Sequence, residues 1–313
     1  MRDTLRNPPS AQAGATRRYI LAGRPVDVGK LAAGLHVVAT PIGNLGDITL
    51  RALEALAGAD LIACEDTRVT RKLLDRYGIT TTLTPYHEHN ATKARPALLR
   101  RLADGAAIAL VSDAGTPLIS DPGFKLVGAA AEAGHTVTSF PGASALLVSL
   151  TVAGLPTDQF LFAGFLPPKE AARRARIVEL GRIPATLVLF ETGPRVAAAL
   201  ADLAAGLGQT RQAALCRELT KLHEEILRGD LASLAQACAG SEPRGEIVVV
   251  IAPPAAAAPV SEAEADSLLR AALLRVSLKD AVGEVADATG LPRREIYQRA
   301  LALTKEGKNG APR

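Results

Sequence analysis

Short apolar runs rich in β-branched residues alternate with helical patterns through the first half of this chain, and this alternation restricts its fold more than any other feature. The predicted strands are residues 35–40, 59–64, 82–86, 107–111 and 136–140, and the predicted helices are 45–56, 68–77, 91–102, 124–133 and 143–152. Strands that alternate with helices form a parallel sheet with helices on its faces. We therefore expect an α/β domain with a mostly parallel sheet.

The pattern changes after residue 154. Strand-like runs at 160–165, 187–190, 213–216, 224–227 and 246–251 accompany three helical patterns, at 171–180, 196–205 and 231–239. The runs at 213–216 and 224–227 are too close for a helical crossover, so part of this second sheet must be antiparallel. The sequence therefore predicts two α/β domains, 35–154 and 155–252, and the second has a mixed sheet.

The two ends of the chain differ from these domains. Residues 1–34 are polar and basic, which predicts a disordered tail. A Pro/Ala linker at 253–260 leads to a helical segment, 261–303, with a break at Gly290 and Pro292 before a basic second helix, and a short tail, 304–313, follows. This is the outline of a helix-turn-helix, and a helical hairpin that packs or dimerises is the alternative.

Composition narrows the class of protein. The 313 residues contain no apolar run near the roughly 20 that span a bilayer, and the amino terminus has no hydrophobic signal core. We therefore expect a cytoplasmic protein with no membrane partner. The three cysteines are scattered without metal-ligand spacing, so no metal site is expected.

Charge is distributed unevenly along the chain. Residues 67–101 hold eight Lys and Arg against two acidic residues, and both ends of the chain are also basic. Such patches favour polyanions such as RNA, although a solvated helix face is the alternative.

A polar loop follows each predicted strand of the first sheet. The five loops read TPIGNLGDIT, CEDTR, PYHEHN, VSDAGTPLISDPG and FPGASA. The fourth is much longer than the usual 2–6 residues of such connections. Ligands bind beyond the carboxyl ends of parallel strands, so we expect the ligand site where these loops meet. Gly115 allows close approach of a ligand, and Asp113 is either a ligand contact or the acceptor of an Asx turn.

Several long motifs resemble one family. They read VVATPIGNLGDITLRAL, ACEDTRVTRKLLDRYGI, YHEHN, VSDAGTPLISDPGFKLV, PGASALLVSL, GFLP, CRELTKLHEEI and RGEIVVVI. With them the chain resembles the tetrapyrrole methylase superfamily and, within it, the bacterial methyltransferases of small-subunit ribosomal RNA. The resemblance spans about 35–303 and implies a homodimer of two-domain subunits.

The resemblance also implies a cofactor and a reaction. The cofactor is S-adenosyl-L-methionine, and the reaction is methylation of a cytidine ribose 2'-hydroxyl in the decoding region of 16S rRNA in the small ribosomal subunit. Matching motif positions place the cofactor against Pro41, Ser112, Asp113, Ala114, Gly115, Thr116, Ala143, Ser144, Phe190 and Glu191.

The ribose hydroxyl is a weak acid, so its methylation calls for a base or a cation beside it. The candidates are Glu65, Asp66, Arg68, Glu218 and Lys221, and an ion pair between the domains is the alternative for each of them. Lys221 would have to be neutral to act as a base, which requires burial or cationic neighbours.

One position departs from the family pattern. The family usually has Glu-x-Pro-His-Arg after the strand at 187–190, but here Pro194 stands where the histidine is expected. Any role of that histidine is therefore in doubt for this chain.

Aromatic residues make up 3% of the chain and Trp is absent, which leaves few side chains for base stacking. RNA would then be held through its phosphates. The candidate contacts are Arg68, Arg71, Lys72, Arg76, Arg293, Arg294 and Arg299. Two other functions stay open, namely a non-catalytic RNA-binding or ribosome assembly factor and a methyltransferase of small tetrapyrroles.

Overall fold

The computed structural model describes residues 17–119, 123–240, 243–255 and 261–309. The chain divides into two compact units, the first ending at Pro254 and the second starting at Ala255. The first unit contains both predicted sheets.

The first unit opens with a β-hairpin of strands β1 (Arg18–Leu21) and β2 (Arg24–Asp27). Its two turn residues, Ala22 and Gly23, both have positive φ, as in the tight turns that match strand twist. Tyr19 is buried, and Arg17 forms an ion pair with Asp60 at 2.7 Å. The prediction of a disordered tail over 1–34 is therefore wrong for residues 17–34, while residues 1–16 lie outside the described residues.

The first sheet is parallel throughout, with strand order β5-β4-β6-β3-β7. Its strands are β3 (Gly34–Val38), β4 (Leu61–Cys64), β5 (Leu83–Pro85), β6 (Ala107–Val111) and β7 (Val137–Phe140). Helices α1 (Leu50–Gly58) and α2 (Thr67–Arg76) cover one face together with the hairpin, and α3 (Ala91–Ala103) and α4 (Phe124–Glu132) cover the other. The central strands β3, β4 and β6 are buried along their whole length, as expected for a parallel sheet between helices.

The second sheet is mixed, with strand order β11-β10-β12-β9-β8. Its strands are β8 (Phe160–Phe165), β9 (Thr186–Thr192), β10 (Gln212–Arg217), β11 (Glu225–Asp230) and β12 (Glu246–Ile251). β8 pairs parallel to β9, whereas β10 runs antiparallel to β11 and β12, and β12 to β9. The predicted mixed sheet is confirmed.

Helices cover both faces of the second sheet. Helices α6 (Glu170–Gly181), α7 (Gly193–Leu207) and α8 (Leu231–Cys238) pack on one face. The other face packs against α5 (Ala145–Ala153) and against Ile42 from the loop after β3. This second contact brings the loops of the first sheet onto the second sheet.

The second unit consists of helices α9 (Glu262–Leu273), α10 (Leu278–Thr289) and α11 (Arg293–Asn309) around a core that includes Leu269 and Ile296. Gly290 ends α10 in the left-handed conformation. The predicted end of the helical segment at residue 303 is wrong, because α11 continues to Asn309 with no breaking Pro. Most of the predicted linker, residues 256–260, and residues 310–313 of the tail lie outside the described residues. None of the helices that the structure describes is long and apolar enough to span a membrane.

Candidate active site

A cavity of about 420 Å³ lies between the loops at the carboxyl ends of the first sheet and the second sheet. The first sheet and its helices line it with Ile42, Glu65, Asp113, Ala114, Thr116, Ile119, Ser144 and Ala145. The second sheet and its loops line it with Phe165, Phe190, Glu191, Thr192, Cys216, Leu219, Gly245, Glu246, Ile247 and Val248. The predicted ligand edge therefore faces a cavity.

The loops of the first sheet are joined to one another by hydrogen bonds. Thr40 and Gly115 exchange backbone hydrogen bonds of 2.9 and 3.1 Å, and the Thr40 hydroxyl donates to the Ser112 carbonyl at 3.2 Å. The Thr116 hydroxyl donates to the Ala143 carbonyl at 3.2 Å. These bonds fix the long loop after β6 against the loops after β3 and β7.

The predicted cofactor residues therefore take two kinds of position. Six of them line the cavity: Asp113, Ala114, Thr116, Ser144, Phe190 and Glu191. The others do not line it: Pro41, Ser112, Gly115 and Ala143. Ser112, Gly115 and Ala143 bond to neighbouring loops, so they support the wall behind the lining residues.

Three carboxylates lie together beside the cavity. Asp113 accepts a hydrogen bond from the Asp66 backbone N–H at 2.9 Å, and Asp66 forms an ion pair with Arg68 at 2.6 Å. The hydrogen bonds from Arg68 lower the pKa of Asp66 to about 2. Burial, and then the charge of Asp113, raise the pKa of Glu65, and burial also raises the pKa of Asp113. Of the two predicted acidic bases on this side, Glu65 is thus the stronger.

A second charged group lies at the opposite wall. The Lys221 ammonium contacts Glu218 Oε1 at 2.7 Å and Glu246 Oε2 at 2.8 Å. Burial alone would lower the pKa of Lys221, but the hydrogen bonds to the two carboxylates outweigh it, so the pKa is raised. The structure therefore does not provide the neutral Lys221 that a base would require, because two carboxylates hold the residue in its charged form. Gly43 packs against the Lys221 stem, where a Cβ atom would overlap it.

Glu191 lines the cavity and has a buried acceptor atom without a partner in the described part of the chain. The residue is 4% exposed, and its Oε1 accepts from the Thr192 N–H at 2.9 Å and contacts Arg195 Nε at 3.2 Å. Its Oε2 has no partner among the described residues. Burial raises the pKa of Glu191 against the opposing effects of Thr192 and Arg195. Pro194 stands in the first turn of α7, where its missing N–H costs no helical hydrogen bond.

Comparison with known proteins decides the family. The family model described as "Tetrapyrrole (Corrin/Porphyrin) Methylases" matches residues 34–235, and the "RsmI C-terminal HTH domain" matches 259–304. The Mesorhizobium japonicum protein named "Ribosomal RNA small subunit methyltransferase I" is 50% identical over 281 residues, 90% of this chain and 95% of that protein. The protein of the same name from Escherichia coli O157:H7 is 42% identical over 85% of this chain and 94% of its own length. The chain belongs to the ribosomal RNA small subunit methyltransferase I family.

Solved structures agree with this fold. The methyltransferase CobJ superposes with a TM-score of 0.55 at 20% identity, over 72% of this chain and 96% of its own. Diphthine synthase superposes with a TM-score of 0.54 at 16% identity, over 72% and 90% of the two chains. The tetrapyrrole methylase fold predicted from the motifs is confirmed, as are the helix-turn-helix helices at the carboxyl end.

The basic residues predicted to bind RNA in this methyltransferase occupy different environments. Arg68, Lys72 and Arg76 are exposed on α2, where Arg71 is half-buried. Within the helical unit, Arg293 and Arg294 are exposed, and Arg293 forms an ion pair with Asp287.

Arg299 differs from these residues. Its side chain is 19% exposed and forms a two-bond contact with Asp266, at 2.9 and 3.1 Å. The expectation that Arg299 contacts RNA is therefore not supported, because an acidic neighbour already matches its charge.

Sequence reasoning missed several lining residues of this family member. Phe165 lies in the GFLP motif, and Gly245 and Glu246 lie in RGEIVVVI, so the resemblance pointed to the segments without assigning these residues. Cys216 faces the cavity from β10, and burial raises the pKa of its thiol to about 11, so it is a neutral wall residue. Cys216 is the first residue of the CRELTKLHEEI motif, so the resemblance pointed to this segment as well without assigning the residue.

Proposed function

We propose that this protein transfers a methyl group from S-adenosylmethionine to the 2'-hydroxyl of a cytidine ribose in the decoding region of 16S rRNA. The observation that carries the proposal is the match to small-subunit rRNA methyltransferases over nearly their whole length, combined with a cavity at the matching loops. The ribose position and the cytidine rest on the resemblance of the motifs.

The residues of the cavity fit S-adenosylmethionine. A volume of about 420 Å³ is within the range of small-molecule sites, about 300–1,000 Å³. The buried, unpartnered Oε2 of Glu191 is an acceptor for an amino or ammonium group of the ligand. Ile42, Phe190 and Val248 supply apolar surface for an aromatic base. The hydrogen-bonded loop at 112–116 fixes one wall in advance of binding.

We propose that one group of this chain, Glu65, assists the hydroxyl. S-adenosylmethionine, when bound, supplies an electrophilic methyl group. Glu65 lines the cavity with a raised pKa, which makes it a better proton acceptor near neutral pH than an ordinary carboxylate. The hydrogen-bonded loops also align the ribose hydroxyl with the methyl group, and this alignment supplies the remaining acceleration of the reaction.

RNA is the proposed macromolecular partner, held through its phosphates. The exposed cations of α2 begin beside Glu65, so phosphates near the target ribose would meet them first. We propose that the reaction takes place in the cytoplasm, because ribosomal subunits are the proposed substrate.

The subunit is also proposed to form a homodimer. Helix α5 has the sequence ALLVSLTVA, apolar on all sides, yet its Leu147 is 53% exposed. Helices that are apolar all round are usually buried, so a second copy of the chain is expected to cover this side. Sedimentation of the wild type and of Leu147→Asp tests this, and a monomeric wild type contradicts it.

Calorimetric titration with S-adenosylmethionine tests the cofactor. The wild type is expected to bind, and Glu191→Gln to weaken binding about 10-fold to 150-fold, because a hydrogen bond to a charged acceptor contributes about 1.5–3 kcal/mol. Glu179→Gln, which changes an exposed carboxylate on α6, is the matched control. A wild type that binds no cofactor contradicts the proposed function, and unchanged affinity of Glu191→Gln contradicts only the role of Glu191.

A further inference from the structure

The amino-terminal hairpin is fixed at the end of helix α2. The Ile20 N–H donates to the Tyr77 carbonyl at 2.7 Å, directly after the last residue of α2. The Ile20 side chain packs on Gly78, where a Cβ atom would lie 2.8 Å from Ile20 Cδ1. The hairpin therefore continues the surface of α2.

Helix α2 carries a line of cations from the cavity to this hairpin. Arg68, Lys72 and Arg76 are four residues apart, so they share one face of the helix, and all three are exposed. The helix starts two residues after Glu65, which lines the cavity, and its ten residues span about 15 Å. The line thus begins at the proposed methylation site and ends where the hairpin packs.

The hairpin adds two exposed cations, Arg18 and Arg24. Neither has an ion pair within the described part of the chain, whereas the neighbouring Arg17 is bound to Asp60. The hairpin has one acidic residue, Asp27, opposite Arg18 in the strand register. Helix α2 likewise has one acidic residue, Asp75, and four basic residues.

We propose that this hairpin is an RNA-binding element that extends the cationic line of α2 and holds phosphates of the substrate beyond the methylated nucleotide. The inference rests on the proposed function. The hairpin precedes residue 34, where the family model begins, so the family match assigns it no role. A membrane surface fits less well, because Ile20 packs on Gly78 and the large apolar side chains that the hairpin exposes are those of Ile20 and Leu21, 43% and 38% exposed.

The salt dependence of binding to small ribosomal subunits tests the proposal. Each phosphate contact on a single strand adds about 0.7 to the slope of log affinity against log salt concentration. Arg18→Gln/Arg24→Gln is therefore expected to reduce the slope by about 1.4 and to raise KM at moderate salt. The matched control is Lys125→Gln/Arg182→Gln, which removes two exposed cations from α4, on the opposite face of the first sheet, and from the region after α6.

Two further measurements separate the possible failures. Calorimetric S-adenosylmethionine affinity on the same preparations checks that the cavity is intact, and Lys72→Gln/Arg76→Gln tests the α2 line alone. If the wild type methylates subunits but Arg18→Gln/Arg24→Gln has the same salt slope as the control Lys125→Gln/Arg182→Gln, the hairpin inference is overturned and the proposed function stands. If the wild type neither binds nor methylates subunits, the proposed function itself fails. If Arg18→Gln/Arg24→Gln loses binding to anionic phosphatidylglycerol vesicles while its RNA binding is unchanged, the inference is overturned in favour of a membrane surface.

Discussion

Substitution of Glu65 by Gln tests the proposed chemistry. Glu65 lines the cavity, and its carboxylate is the one expected to accept the proton of the ribose hydroxyl. A positioned general base contributes about 10²–10⁴-fold, which corresponds to about 2.7–5.5 kcal/mol of activation free energy. Glu65→Gln is nearly isosteric, so we expect kcat to fall by that factor while cofactor affinity changes little.

Stability should change in the opposite direction from activity. Burial raises the folded-state pKa of Glu65, so its protonated form is the one favoured by folding. This contribution to the free energy of unfolding is present at pH values below the pKa that Glu65 has in the unfolded chain. It is lost as the pH rises through the pKa that Glu65 has in the folded protein. Near neutral pH the ionised carboxylate opposes folding, so Gln is expected to leave the melting temperature unchanged or to raise it. A residue that served only the fold would show a lower melting temperature.

The assay is single-turnover transfer of labelled methyl to small subunits between pH 5.5 and 9. The wild-type rate is expected to fall as the pH is lowered through the raised pKa of Glu65, and Glu65→Gln should lack this fall. Asp66→Asn is the matched control, because the pKa of Asp66 is about 2 and its charge is constant over this range. The reasoning is refuted if Glu65→Gln keeps its rate within 10-fold, or if Asp66→Asn loses as much.

Three other substitutions have separate expected results. Lys221→Met leaves two carboxylates without their cation and should lower the free energy of unfolding by about 1–3 kcal/mol in urea; an unchanged midpoint contradicts the ion-pair account. Gly245→Ala places a side chain at φ +103° and against Glu218, so we expect about 1–3 kcal/mol of strain and weaker cofactor binding, measured by melting and calorimetry. Arg299→Gln removes the partner of Asp266 and should lower the melting temperature of the helical unit without changing the salt dependence of RNA binding; a smaller salt slope would show that Arg299 contacts phosphate.

The sequence predicted the sheets because their strands are apolar runs between turn residues. The bounds 160–165 and 246–251 coincide with β8 and β12, which are flanked by Pro and Gly. The hairpin was missed because only Tyr19 is buried in β1, so its alternating pattern is too short to recognise. What holds the hairpin lies far along the chain, at Gly58, Asp60 and Tyr77.

The sequence predicted which loops form the site, but it did not predict how the pKa values of the charged residues in those loops are shifted. Asp66 and Glu65 are adjacent in sequence, yet their pKa values shift in opposite directions, because Arg68 reaches one and burial affects the other. Lys221 is held charged by Glu218, three residues away in sequence, and by Glu246, which lies 25 positions away and reaches it only in the folded sheet. Local sequence carries no signal for the second of these partners.

The most direct measurement of the central claim is the position of the transferred methyl group. Small subunits that lack the modification would be incubated with the protein and labelled S-adenosylmethionine, and their rRNA digested and mapped by mass spectrometry. The account predicts label on the ribose of a single cytidine within the decoding region of 16S rRNA. Label on a base, on another nucleotide or on protein would contradict it, and so would the absence of label from a protein that binds the cofactor.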